Sequence, residues 1–446
     1  MNDIRFTKTN GGIPRPTANE DPISALLMVF PDVENCPGEW TEVVADSLFV
    51  AKFQYLEQLR ELGIEERQLA TTKVTSSQMD SDDADDFELE YEQDSAINAL
   101  IYHVSEFFRM NPNGTLYVGL VPDAADVTAA SITALQNYTD GKIRQVGILT
   151  PALTNLAAYQ TEAGILESNH KPLSIVIAPT GFTIAVSCTP ASSAGTDGKY
   201  HNTLDITKTA VPAMAMSSLK DVANTKVAGG RTNVSVLIGT DLDETLGAKL
   251  GTYKSYGCIG TCLGAISKAA VNECIAWVQK FPLGLAKPGL ISGEAINTVS
   301  EANQNDLNAN HLIFARLHVG IADCYFNDSW TLDLDTSDYC YIERVRTIDK
   351  ACRGVRANLL PYLNSPLKVD AETGKLAQST VAFLQTTAGR ALEDMEKADE
   401  LSGYVVEIDP EQNVIATSTL QVVIKQVPTG VMRNVNIKIG FTTAIG

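Results

Sequence analysis

Four short, uninterrupted apolar runs constrain this chain most. Leu116–Val121 (LYVGLV), Gln145–Leu149 (QVGIL), Leu173–Ala178 (LSIVIA) and Val234–Gly239 (VSVLIG) are strand-length and carry no polar alternation. A strand that is apolar on both faces must be covered on both faces. Amphipathic stretches lie between or beside these runs, at Ala96–Met110, Asp126–Thr139, Asn155–Asn169 and Ser255–Lys280. Alternating strands and helices predict a mostly parallel sheet clad by helices, a middle α/β domain spanning 23–285. An apolar run at Ala25–Phe30 supplies a further strand, and Glu39–Leu62 has helical spacing. The Ser/Thr/Gly-rich stretch Thr183–Arg231 reads as a loop or hairpin excursion.

Charge is distributed unevenly. Asp80, Asp82, Asp83, Asp85, Asp86, Glu88, Glu90, Glu92 and Asp94 follow one another with no base between them. Mutual repulsion predicts a solvated acidic loop at 75–95. From Cys340 onward twelve bases balance twelve acids, so the whole net charge of −20 lies before that point. Such a field excludes general nucleic-acid binding and disfavours anionic membranes. No stretch is long and apolar enough to span a bilayer, and Met1–Glu20 lacks a signal-type apolar segment. Eight scattered cysteines without a C-x-x-C pair predict reduced thiols.

After about residue 285 the pattern changes to α+β. Short strands are expected at Leu312–Val319, Ile321–Phe326 and Trp330–Leu334, and helices at Tyr341–Leu363 and Ala377–Leu401. Strands follow at Gly403–Ile408, Thr417–Lys425 and Val435–Thr443. In the last, Val435, Ile437, Ile439 and Phe441 share one face. The chain thus divides into an extended arm 1–22, the α/β domain 23–285, a C-terminal domain 286–430 and a linking strand 431–446. Ile4, Phe6 and Lys8 form a candidate strand in the arm. Gly11, Gly12 and Pro14 at one end, and Pro428 and Gly430 at the other, read as hinges.

Sequence motifs for catalysis are sparse. No phosphate loop, dinucleotide fingerprint, Gly-x-Ser-x-Gly or His-Glu-x-x-His occurs. Gly229-Gly230-Arg231 precedes its strand and reads as a turn. Asp241 and Asp243 could hold a metal, but helix capping suits them better. Cys258 and Cys262 could serve a thiol enzyme with His103 or His318 as base; core cysteines in a tightly packed helix are the plainer reading. Arg346, Lys350 and Arg353 form a basic face on the Tyr341–Leu363 helix. They would meet a partner surface, or else cap carboxylates within the domain.

The last hundred residues carry a resemblance. Tyr341, Arg346 and Asp349 fit a Tyr-x-x-x-x-Arg-x-x-Asp helix, followed by a strand ending at Pro428 and a final Ile437-x-Ile439-Gly-Phe441 strand. This order resembles the C-terminal domain of contractile tail sheath proteins of phage tails and injection systems. The VSVLIGTD segment at 234–241 and the α/β middle are similar to one phage-like sheath family. Many sheaths open with a Pro-Gly motif in the arm, where this chain has Gly11-Gly12-Ile13-Pro14. The resemblance implies a non-enzymatic subunit without cofactors, stacked in six-fold rings around an inner tube. It implies self-association, a tube partner and baseplate and cap partners, without nucleic acid or membrane insertion. Assembly would take place in the bacterial cytoplasm. It also implies that Ile4, Phe6, Lys8, Val435, Ile437, Ile439 and Phe441 pair with sheets of neighbouring subunits. The basic face would then look toward the tube or a neighbour. A sheath-end cap or baseplate component is the alternative within the same machine.

Overall fold

The apolar runs become adjacent strands of one eight-stranded sheet. The computed structural model describes residues 20–442, apart from 32, 45–46, 70–72, 77–80, 151–152, 154 and 221–229; at 73–76, 81–88 and 220 it describes the backbone alone. In chain order the elements that frame the sheet are β1 (Ile23–Val29), β2 (Thr41–Val44), β3 (Leu48–Phe53) and helix α1 (Ser81–Met110). Then come β4 (Thr115–Val121), α2 (Ala129–Tyr138), β5 (Gln145–Thr150), α3 (Leu156–Ser168) and β6 (Ser174–Pro179). A hairpin of β7 (Phe182–Thr189) and β8 (Tyr200–Ala210) leaves the sheet, and Lys73–Ser76 pairs with it. The body closes with β9 (Val234–Leu237), α4 (Ile259–Lys268) and β10 (Leu312–Ile313).

The strand order is β10-β9-β6-β5-β1-β4-β3-β2. The first six strands run parallel, and β3 and β2 add antiparallel at one edge. Successive side chains point to opposite faces, so β1 feeds two cores. Leu26 and Met28 join the core under α1 and α4, whereas Ala25 and Leu27 join the core under α2 and α3. The α1 and α4 backbones nearly touch. A Cβ on Gly260 would lie 2.2 Å from the His103 carbonyl oxygen, and one on Gly264 would lie 2.7 Å from that of Phe107. Glycines four apart on one helix face permit this approach.

Several expectations are corrected. Glu39–Leu62 is helical only over Gln58–Glu61 and otherwise supplies β2 and β3. Leu48, Val50 and Phe53 are all buried in β3, and a strand covered on both faces loses the alternation that separates it from a helix. The acidic segment from residue 81 is the start of the 30-residue α1, not a loop. Its later turns are fixed by buried Ala96, Leu100, Val104 and Phe107, and carboxylates at a helix N-terminus are favoured by the helix dipole. The expected helix Ser255–Lys280 is regular only over Ile259–Lys268. No strand covers Trp330–Leu334; Trp330 makes a single bridge to Tyr341. The boundary expected at 285 lies inside the body, because β10 joins the main sheet.

The last unit contains α5 (Ile342–Leu359), α6 (Gln378–Lys397), and the antiparallel pair β11 (Leu401–Glu407) and β12 (Val423–Pro428). Leu392, Met395, Leu401 and Ala351 form its core with Val271 from the body. Residues 429–442 follow without a strand, contrary to the expectation for Val435–Thr443. A strand needs a ladder partner, and among the described residues no strand pairs with this segment.

Gly260→Ala is expected to lower stability by about 1–3 kcal/mol, the range for overpacking a filled interface. Chemical denaturation measures this; an unchanged midpoint would refute the close α1–α4 contact.

Candidate functional site

Helix α5 carries Glu343, Arg346, Lys350 and Arg353 at spacings of three, four and three, which places them along one stripe. The stripe does not form a free basic face. Arg346 is 5% exposed and donates to the carbonyls of Ala269 and Ala270, both at 3.2 Å. Those carbonyls belong to the C-cap residue of α4 and to the residue after it, so Arg346 ties α5 to the end of α4. Lys350 lies 2.6 Å from the Glu400 carboxylate and 2.9 Å from that of Asp21. Arg353 also donates to Asp21, at 2.9 Å, while Arg144 pairs with Glu20. Burial would raise the Asp21 carboxyl, but Lys350, Arg353 and Arg346 pull it below its usual value. Within the single chain these side chains are thus taken up by the body, by Asp21 and by Glu400, and only the Lys350–Glu400 pair lies inside the C-terminal unit.

A second ionic cluster holds the root of the C-terminal tail. Arg433 Nε lies 3.0 and 2.9 Å from the two oxygens of Asp328, and its Nη2 lies 2.5 Å from Glu343. The guanidinium sits 3.4 Å from the centre of the Tyr341 ring, a cation–π contact. Burial disfavours its charge, but Asp328 and Glu343 outweigh that and raise its pKa. Asn272 steadies the preceding turn by donating to Thr429 Oγ1 at 3.0 Å. Beyond Arg433 the apolar side chains are exposed: Ile437 is 78%, Ile439 95% and Phe441 111% exposed, and Val435 is exposed as well.

Ile4, Phe6, Lys8, Gly11, Gly12 and Pro14 lie outside the described residues. Pro428 ends β12, and Gly430 stands in open space beyond it. Tyr341, Arg346 and Asp349, the helix motif, are all structural. Tyr341 backs Arg433, Arg346 caps α4, and Asp349 is buried, which pushes its carboxyl up to about 7. Asp243 caps the helix Glu244–Leu250, and Asp241 accepts from the amides of Ala286 and Lys287 at 2.9 Å. Among the described residues no cluster of His, Cys, Asp and Glu could hold a metal.

The thiols are not activated. Cys258 and Cys262 are buried; burial raises the first well above its ordinary value and the second to about 12. Burial also lowers His103 to about 3. A nucleophile needs the opposite shift. The carboxyl end of β1, beside the point where the strand order reverses, is where open sheets of this type bind ligands. Here buried Tyr253 fills that position and donates its hydroxyl to the Val29 carbonyl.

Sequence reasoning missed Asp21, Asp328, Glu343, Glu400 and Arg433. Glu343 was findable, because it stands three before Arg346 and seven before Lys350 on the same stripe. The others are remote in sequence and carried no local signal.

The fold has known counterparts. The DUF2586 N-terminal domain family matches residues 65–330 and the DUF2586 C-terminal domain family matches residues 338–446, so the chain belongs to the DUF2586 family. The boundary between the two matches agrees with the body ending after β10. A search of the curated proteins finds no match. Among solved structures, the chain is similar to the helical sheath of the anti-feeding prophage in its contracted state. Identity is 14%, TM-score 0.53, and coverage 98% of this chain and 100% of that one. A chain of the six-fold symmetrised baseplate of the same particle gives 13% identity and TM-score 0.56, with the same coverage. The contracted sheath complex of the extracellular contractile injection system PVC gives 12% and 0.53, covering 99% of both chains. The chain therefore has the contractile sheath fold over nearly its whole length.

Two outcomes are expected. Asp349→Asn removes a carboxyl whose folded pKa is raised. The penalty for burying it is absent below about pH 4 and grows until about pH 7. The variant should gain thermal stability at pH 7.5 and little at pH 4; an equal effect at both would contradict the assignment. Secondly, Cys352, the one exposed cysteine, should react with a thiol reagent in the native protein. Cys258 and Cys262 should react only after unfolding, as peptide mass mapping would reveal.

Proposed function

We propose that this chain is the structural subunit of a contractile sheath. Copies stack in six-fold rings around an inner tube, and the array contracts to drive the tube through a target envelope. The observation that carries this reading is the tail from Val435 to Phe441. It bears an apolar stripe at every second residue, is exposed along its whole length, and is fixed at its root by Arg433. A segment of this kind suits strand addition to a neighbouring copy, where main-chain hydrogen bonds supply affinity and alternate side chains supply register. The two-stranded sheet of β11 and β12 has edges without a partner among the described residues, and its exposed Val405 and Val423 offer apolar cover.

Ile4, Phe6 and Lys8 would form the matching strand at the other end. Gly11, Gly12, Pro14 and Gly430 would act as hinges, and Pro428 would end the ladder. A heterologous contact of this type propagates instead of closing, which produces a helical array. Contraction would draw on free energy stored in the extended array, with no nucleotide. Partners would be further copies, the inner tube, and the baseplate and cap proteins. No helix among the described residues is long and apolar enough to cross a membrane. Assembly would take place in the bacterial cytoplasm, and the product would be a phage-tail-like particle.

The similarity to a baseplate chain supports a second reading, a baseplate or cap subunit present in about six copies. Negative-stain microscopy of the purified chain at high concentration, with and without tube protein, separates the two. Hollow cylinders support the sheath, whereas isolated rings support the second reading. Truncation after Arg433 keeps the buried Asp328 and Glu343 paired. The shortened chain should remain folded with a melting temperature near that of the full chain and form no cylinders. Long cylinders from this truncation would refute strand addition by the tail.

A further inference from the structure

Asp21, just before β1, and Arg433, after β12, are both held on the same stripe of α5. The C-terminal tail enters through Arg433 onto Glu343 in the first turn, with Asp328 completing the pair. Asp21 is held by Lys350 and Arg353 two to three turns later. Ten residues separate Glu343 from Arg353, about 15 Å of helix. The carboxylates are deeply buried: Glu343 is 3%, Asp328 7% and Asp21 8% exposed.

Between the two roots, Arg346 ties the helix to the end of α4, and Lys350 also holds Glu400, the residue before β11. The two roots, the body and the β11–β12 pair therefore meet on one rigid element. Ordinary surface ion pairs are weak and screened by salt. Breaking a buried pair is costly, because it leaves an uncompensated charge.

We propose that α5 is the rod that couples the two chain extensions, with Asp21–Lys350/Arg353 and Arg433–Asp328/Glu343 as its end fittings. The fittings set the spacing and direction at which one copy holds its neighbours. Tension entering by the tail passes along α5 to the other extension. It does not pass through Thr429–Gly430. This inference rests on the reading that the extensions join copies.

The test places the same three-residue Gly-Gly-Ser insertion on either side of the tail fitting, in exposed irregular chain that tolerates added length. An insertion between Gly430 and Val431 lies before Arg433. The fitting should absorb it, leaving cylinders with wild-type helical spacing. The same insertion between Arg433 and Asn434 lies beyond the fitting and should change the spacing or abolish cylinders. Equal effects of the two insertions would overturn the proposal. Arg433→Gln supplies an independent arm. It should keep the circular dichroism spectrum of the wild type and raise the critical concentration for polymerisation about tenfold, equivalent to 1.4 kcal/mol. A folded variant that polymerises like wild type would also overturn the proposal. Failure of the wild-type chain to form cylinders would instead remove the sheath reading itself, so the two failures are distinguishable.

Discussion

The buried charged stripe of α5 is the interaction on which the rest of the structure depends. Taking ions out of water is expensive, and well-packed apolar residues at such positions are often as stabilising or more so. What the stripe provides is directional definition. Arg346 donates to the carbonyls of Ala269 and Ala270 just after α4, which ties the C-terminal unit to the body. Lys350 and Arg353 fix Asp21, and Glu343 fixes Arg433. An apolar seam could hold these parts together, but it would not specify the positions of Asp21 and Arg433 so closely.

The α/β body serves as a scaffold for that arrangement. Its parallel strands are covered on both faces, and α1 and α4 approach to backbone contact through Gly260 and Gly264. The ligand position such sheets usually offer is filled by Tyr253. The buried thiols are shifted away from reactivity. Among the exposed apolar side chains, those of Val435, Ile437, Ile439 and Phe441 follow one another along a single segment.

The sheet was legible in the sequence because continuous apolar runs of strand length have few alternative fates. The same two-sided burial hid β3, whose LFVAKF segment has no clean period. The acidic turns of α1 were read as a loop because local repulsion was weighed without the buried half that extends the helix. In the C-terminal unit the helix pattern revealed the basic stripe but not what it meets. Asp21, Glu400 and Arg433 approach α5 only through tertiary structure, and no spacing rule links them to it. The apolar alternation of Val435 to Phe441 was plain, and its outcome in the single chain is instructive. Alternation marks a face to be covered, and the covering partner need not lie in the same chain.

The central claim is that this tail becomes ordered strand only on another copy. Amide hydrogen exchange across residues 434–442, compared between the dispersed chain and the assembled polymer, tests it most directly. The account predicts rapid exchange in the dispersed chain and strong protection on assembly, with every second amide protected as in a ladder at a sheet edge. Rapid exchange of the same amides in both states would contradict it.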